Sequence, residues 1–183
     1  MKKTVLTFGL ISGVLSSLMM LATVPFMHKI SPTEGLVIGY TGIVLSFLLV
    51  FFGIRSYRDN VGNGQITFTK AFAVGICITL ISCIFYVATW EILYFNFLPR
   101  NFMDQYGAQT IEKLKASGAS PEAVEAQVQE MKKFNEQYEN PVFNSLMTFI
   151  EPFPVGLLIT VISAGVLRKK GQSQAAASPL PAS

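Results

Sequence analysis

The sequence predicts an all-α integral membrane protein with four transmembrane helices. Hydrophobic residues make up 51% of the chain and charged residues only 14%, and the mean hydropathy is +0.46. This composition is too apolar for an ordinary soluble chain of the same length. Four apolar stretches each supply the roughly 20 residues that a helix needs to cross a hydrocarbon core of ~30 Å. The predicted spans cover about 4–27, 35–54, 71–97 and 142–167.

The first apolar stretch follows Lys2 and Lys3, as it would in a signal peptide. It runs to Met27, well beyond the roughly 7–15 apolar residues of a signal-peptide core, and it lacks a convincing small-x-small cleavage site. We therefore expect the stretch to be retained as the first span.

Basic residues mark one side of the predicted membrane domain. The short loop between the first and second spans, 28–34, lies on the other side and carries only one Lys, Lys29, which Glu34 balances. Because Lys and Arg are enriched in short cytoplasmic flanks, both termini are predicted to be cytoplasmic and the connection 91–141 external. The cations on the predicted cytoplasmic side are Lys2, Lys3, Arg55, Arg58, Lys70, Arg168, Lys169 and Lys170.

The external insert, residues 100–140, has a helical pattern of its own. Ser120 and Pro121 form an N-cap and first-turn pair, and Gly118 is a plausible stop for an earlier helix over 103–116. Each helix carries an apolar stripe, so the two form an amphipathic hairpin whose stripes either pack on the protein itself or bind a partner or ligand. The stripes are Met103, Tyr106, Ile111 and Leu114, then Val124, Val128, Met131, Phe134 or Asn135, and Tyr138.

Glycine motifs in the spans indicate close helix packing. Gly9 and Gly13 form a Gly-x-x-x-Gly motif in the first span, Gly35 and Gly39 form one in the second, and Gly75 lies in the third. Such residues let helix backbones approach one another closely. We expect them to pack one bundle, with homo-oligomer formation as the alternative.

Aromatic residues cluster near the predicted outer end of the third span. Tyr86, Trp90 and Tyr94 lie within nine residues of one another. Because Tyr and Trp are enriched where a span meets the headgroup layer, these three are predicted to form an interfacial belt.

Glu151 lies inside the fourth apolar stretch. An ionised side chain at the bilayer centre costs about 2.5–3.5 kcal/mol even on the lenient insertion scale, so it needs compensation. Pro152 and Pro154 remove two backbone donors, which predicts a helix break beside this carboxylate. In one interpretation, 144–150 is an interfacial turn, Glu151 is solvated near the membrane boundary, and a helix runs from Pro152 to Leu167. In the other, the broken helix lines a cavity for a proton, a cation or a basic group.

Other candidates for chemistry are few. Glu91 and Asn96, near the outer end of the third span, are candidates to share a polar site with Glu151. Cys77 and Cys83 lie six residues apart on different faces of one helix and are expected to pack without redox or metal chemistry. The single histidine, His28, is not part of a metal motif. We therefore expect no cofactor, no metal and no enzymatic activity.

The whole pattern resembles a bacterial family of membrane proteins. The resemblance rests on the segment ITFTKAF at 66–72, the exit YFNFLP at 94–99, the helical insert, and a last span that ends in RKK at 168–170. On these features the chain is identified as a member of domain-of-unknown-function family 4199 over about residues 1–170. The resemblance implies a bacterial inner-membrane location and four spans, and it brings no activity. Residues 171–183 are predicted to form a disordered cytoplasmic tail.

Two functions follow as hypotheses. The first is a non-enzymatic membrane protein that acts by helix or hairpin association with a second copy or another membrane or extracytoplasmic partner. The second is a small transporter or channel for protons or cations that uses Glu151 at the broken fourth helix. Membrane lipids are expected partners in both cases, and nucleic acid is not, because the basic residues form no stripe with interleaved aromatics.

Overall fold

The computed structural model describes residues 1–26 and 30–169, and this part of the chain is built from helices. Four helical segments are long and apolar enough to cross a membrane: Lys2–Phe26, Thr33–Asn60, Phe68–Asn96 and Pro141–Leu167. The predicted all-α fold with four helices able to span a membrane is therefore confirmed. The predicted tail, 171–183, and His28 lie outside the described residues. The helices are α1 (Lys2–Thr23), α2 (Pro32–Asn60), α3 (Phe68–Asn96), α4 (Phe102–Ala116), α5 (Pro121–Tyr138), α6 (Pro141–Ile150) and α7 (Pro152–Leu167).

Helix α3 lies at the centre of the bundle and packs against α1, α2, α6 and α7. Val50 and Ile54 of α2 and Val74 and Ile78 of α3 are fully buried between the helices. Large apolar side chains also cover the outside of the bundle, and Ile84 of α3 is 63% exposed. A lipid bilayer is the solvent that accepts such a surface.

Hydrogen bonds of the loop before α3 stabilise the end of the bundle at which α1 begins. Thr67 caps α3 by accepting a hydrogen bond from the Lys70 amide at 3.3 Å. Ile66 pairs with Lys169 in an isolated antiparallel bridge, which ties the loop after α2 to the end of α7. The described basic flanks of the spans meet here, so we call it the basic end and the opposite one the hairpin end.

Helices α4 and α5 pack on each other at the hairpin end. Asn135 donates a hydrogen bond to Asp104 at 2.8 Å, and the turn between the helices has Gly118 at φ +81°. Ser120 caps α5 by accepting from the Ala123 amide. The two amphipathic helices therefore exist where the sequence predicts them.

The glycine motifs differ in whether they lie at a contact between two helices. An added Cβ at Gly9 would lie 2.9 Å from Ile81, and one at Gly13 would lie 2.8 Å from Phe85, so this motif lies at the α1 and α3 contact. Gly75 is similarly crowded by Thr160. The second motif does not mark a helix contact, because a Cβ at Gly39 would meet nothing within 4 Å and one at Gly35 would meet only Ile30.

The fourth span is interrupted at a single residue. Helix α6 ends at Ile150 and α7 begins at Pro152, while Glu151 between them keeps helical angles of φ −68° and ψ −59°. The prolines thus interrupt the hydrogen-bond ladder at a point where the backbone stays helical. The interpretation of 144–150 as an interfacial turn is wrong, because these residues belong to α6. The helix from Pro152 to Leu167 that the same interpretation predicted is confirmed as α7.

Candidate functional site

Glu151 lines a cavity of about 190 Å³ at the hairpin end. Residues of α1, α2 and α3 form its walls, and residues of α4, α5 and α6 complete them. Gly35 and Gly39 of α2 contribute backbone to the wall, which explains why they pack against no other helix. The polar and aromatic side chains at the cavity include Tyr86, Trp90, Tyr106, Tyr138, Thr148 and Glu151.

The Glu151 carboxylate has one polar partner from the spans. Tyr86, which is only 9% exposed, donates its hydroxyl hydrogen to Glu151 Oε2 at 3.1 Å. The salt bridges within residues 1–26 and 30–169 join Asp59 to Arg55 and Arg58 at the basic end. No described cation therefore pairs with Glu151, and one carboxylate oxygen is left without a hydrogen-bond donor in this part of the chain.

The hairpin contributes two phenols to the same cavity. Burial raises the pKa of Tyr106, and the nearby charge of Glu151 adds to that rise. Burial also raises the pKa of Tyr138, against the opposing effect of the Thr148 hydroxyl and the Trp90 indole beside it, and Glu151 again contributes to the rise. These residues belong to the apolar stripes predicted for the two helices. The stripes thus close the cavity over Glu151.

Trp90 leaves a donor unused at this site. Its indole Nε1 is buried without a hydrogen-bond acceptor among the described residues. The Tyr138 hydroxyl lies beside it, but the geometry of a hydrogen bond is not met. Tyr94 stacks on the Trp90 ring with centroids 6.0 Å apart, so the ring is held in place. Buried donors normally find partners, so this N–H is a candidate to donate a hydrogen bond to a ligand.

A small hydrogen-bond network fixes α6 to the end of α5. Asn144, which is fully buried, donates from Nδ2 to the Tyr138 carbonyl at 3.2 Å. Its Oδ1 accepts from the Thr148 hydroxyl at 3.3 Å, and Thr148 in turn contacts the Tyr138 hydroxyl at 3.3 Å. The network holds Tyr138 in position at the cavity.

The other two sequence candidates lie away from the cavity. Glu91 accepts a hydrogen bond from Ser145 at 3.0 Å, which joins α3 to α6. Asn96 is exposed and donates to the Ile92 carbonyl of its own helix at 3.0 Å. Neither residue is among those that line the Glu151 cavity.

The interfacial-belt interpretation missed two residues of the site. Tyr86 and Trp90 face the interior of the bundle at the cavity. A signal for this was present in the sequence, because Thr79, Ser82, Tyr86 and Trp90 recur at spacings of three and four. Such a polar stripe on an otherwise apolar helix marks the face that packs inward.

A second, larger concavity adjoins the first. It has a volume of about 750 Å³ and a mainly apolar lining from the ends of α1 and α3 and from α4. Val24 and Tyr106 line both spaces. The apolar groove is therefore a direct neighbour of the polar cavity.

Comparison with known proteins gives the chain a family. Neither the curated proteins nor the solved structures yield a match. Residues 7–169 match the family described as "Protein of unknown function (DUF4199)", which takes in the four spans, the helical insert and the Glu151 cavity. Because this match covers most of the 183 residues, the chain belongs to that family.

Proposed function

We propose that this multi-pass membrane protein binds and transports a small positively charged ligand at Glu151, and that it is not an enzyme. The observation that carries the proposal is a carboxylate within the fourth apolar helical segment that lines a cavity and has no described cation paired to it. An uncompensated charge in a transmembrane segment is costly. A cationic ligand would supply the missing compensation and would be held by it.

The proposal includes an orientation. The basic end carries the flanking Lys and Arg residues, so it is assigned to the cytoplasm, and the described N-terminal segment and the end of α7 lie there. The proposed location is a bacterial inner membrane, which the family resemblance implies. The hairpin is then external, and the cavity takes its ligand from the external side.

The closed core below the cavity fits one state of a transport cycle. Val50, Ile54 and Ile78 are fully buried between the cavity and the basic end. A ligand at Glu151 therefore has no open path to the cytoplasmic side in this state. In alternating access, the binding site is exposed to one side at a time, and this arrangement corresponds to the external side.

Association with a second copy or another membrane protein is the other function that the sequence predicts. The crowded glycines Gly9, Gly13 and Gly75 are already covered by helices of the same chain. Tyr106 and Tyr138 of the hairpin stripes are turned to the cavity. These placements favour the cation-binding function over association through the glycine motifs.

The single tryptophan of the chain makes the proposal testable by fluorescence. Trp90 lines the cavity, so an occupant of the cavity should change its emission. We expect at least one cation from a panel of Na⁺, K⁺, ammonium, propylamine, ethanolamine and choline to give a saturable change with the full chain in nanodiscs. Glu151→Gln should weaken that binding at least about tenfold, the effect of losing ~1.4 kcal/mol.

Glu91→Gln is the matched control, because it removes a carboxylate from the same end of the bundle but not from the cavity. It should bind as the wild type does. Flux of the best ligand into liposomes then tests transport, again with Glu151→Gln. The absence of any Glu151-dependent response across the whole panel would overturn the proposal.

A further inference from the structure

We infer that the ligand is a small organic ammonium ion that also carries an oxygen acceptor, the chemistry of an amino alcohol. The inference rests on the cation-binding function proposed above and adds the ligand's class. It follows from the size of the cavity, the groups around Glu151 and the unused donor of Trp90.

The cavity admits only a small ligand. Its volume of about 190 Å³ is below the ~300–1,000 Å³ typical of pockets for drug-sized molecules. A compound of a few heavy atoms fits this space.

The lining favours an ammonium group over a metal ion. Hard metal ions take several oxygen ligands, and Ca²⁺ takes about six to eight. Glu151 is the acidic residue that the described lining offers, and four of the other sixteen lining residues are aromatic. Aromatic rings attract ammonium groups through their electron-rich faces. One carboxylate beside Tyr86, Trp90, Tyr106 and Tyr138 therefore suits an organic cation.

The Trp90 indole calls for an acceptor on the same ligand. Glu151 accepts a hydrogen bond from Tyr86, and Trp90 lies four residues further along α3, about 6 Å along the helix axis. A two-carbon ligand can place its ammonium group at Glu151 and its oxygen toward the Trp90 N–H. The ligand would satisfy the one buried side-chain donor that the described residues leave without a partner.

The same chemistry occurs free in solution and on lipid headgroups. The apolar groove beside the cavity shares Val24 and Tyr106 with it, so an acyl chain in the groove could accompany a headgroup in the cavity. Free ethanolamine and the ethanolamine headgroup of a lipid are therefore the two sources that the experiment separates.

The first test compares two ligands that differ by one group. Ethanolamine and propylamine have the same charge and nearly the same size, but only ethanolamine carries the oxygen. We expect ethanolamine to bind the wild-type protein about three- to tenfold more tightly, the range for one hydrogen bond, as measured by isothermal titration calorimetry in phosphatidylglycerol nanodiscs. Na⁺ and K⁺ should bind more weakly than either amine.

Trp90→Phe tests the assignment of the donor. This variant keeps an aromatic ring and removes the N–H, so the preference for ethanolamine over propylamine should disappear while both amines still bind. Equal binding of the two amines to the wild type, or tighter binding of Na⁺ or K⁺, would overturn the ligand class and leave the proposed cation site standing. The wild-type comparison decides the matter even if Trp90→Phe does not fold.

The source of the ligand is separated by lipid composition. Nanodiscs that contain phosphatidylethanolamine should change Trp90 emission without added ligand, and weaken binding of free ethanolamine, if the headgroup is the occupant. Binding of free ethanolamine that is indifferent to lipid composition supports the soluble source. If neither form changes the emission or releases heat, the inference fails.

Discussion

Some glycines of this bundle lie at helix contacts that leave no room for a Cβ methyl group, whereas others have space for one. A Cβ at Gly156 of α7 would collide with the Thr79 side chain and lie 3.0 Å from Phe47. A Cβ at Gly165, about two and a half turns further on and exposed, would meet nothing within 4 Å. The same substitution should therefore have opposite effects at the two sites.

We predict that Gly156→Ala destabilises the protein by about 1–3 kcal/mol, because the buried contact with α3 must open. Gly165→Ala should leave stability unchanged or raise it by up to about 1 kcal/mol, since Ala favours a helix over Gly. Unfolding of both variants in detergent, followed by far-UV circular dichroism, measures the difference. Equal stability of the two variants would mean that α3 and α7 are not packed as described.

Gly39 offers a way to fill the cavity without disturbing the packing. It lines the cavity, and an added Cβ there has no neighbour within 4 Å. We predict that Gly39→Val weakens ligand binding at least about tenfold, equivalent to ~1.4 kcal/mol, and leaves the unfolding temperature near that of the wild type. Gly165→Val is the control at an exposed site. Retention of full affinity by Gly39→Val would place the ligand elsewhere.

At the scale of elements, one buried amide joins the hairpin to the fourth span. Asn144 of α6 bonds both the Tyr138 carbonyl and the Thr148 hydroxyl. Removal of a buried partner leaves polar groups unsatisfied, at a cost of about 1–3 kcal/mol. The position of α5 over the cavity therefore depends on this residue.

We predict that Asn144→Leu destabilises the protein by about 1–3 kcal/mol and increases proteolysis at the exposed turn between α4 and α5. Asn96→Leu is the matched control, because Asn96 is exposed and bonds only its own helix. It should behave as the wild type in both assays. A hairpin that stays equally protected in Asn144→Leu would show that other contacts hold it.

Local signals made the elements predictable. Ser120 and Pro121 locate the start of α5 because an N-cap acts within one turn, and the structure has α5 begin at Pro121. The same holds for the helix over 103–116, which the structure gives as Phe102–Ala116. Such predictions need only residues that are close in sequence.

The site was less predictable because it is assembled from distant residues. Tyr86, Tyr106, Tyr138 and Glu151 reach one cavity from four different elements or junctions. Glu151 stands out by its charge alone, whereas the tyrosines look like ordinary interfacial or packing residues until the helices are in place. Gly35 and Gly39 show the same limit, because a Gly-x-x-x-Gly motif does not reveal whether its face meets a helix or a cavity.

At the scale of the whole molecule, the two ends differ in composition. The basic end gathers Lys and Arg from four helix termini around the bridge between Ile66 and Lys169. The connection that forms the hairpin end, 91–141, has more acidic than basic residues. Because Lys and Arg are enriched in cytoplasmic flanks, this asymmetry predicts that the basic end faces the cytoplasm and the hairpin end the outside.

We predict that Ser117→Cys, in a background with Cys77 and Cys83 replaced by Ala, reacts with a membrane-impermeant maleimide in intact cells. Ser117 lies in the exposed turn of the hairpin. Gln65→Cys, exposed in the loop after α2 at the basic end, should react only after the membrane is permeabilised. Because the two cysteines lie at opposite ends of one bundle, each serves as the control for the other. The reverse pattern of labelling would put the hairpin and the opening of the Glu151 cavity in the cytoplasm, and the ligand would then have to come from that side.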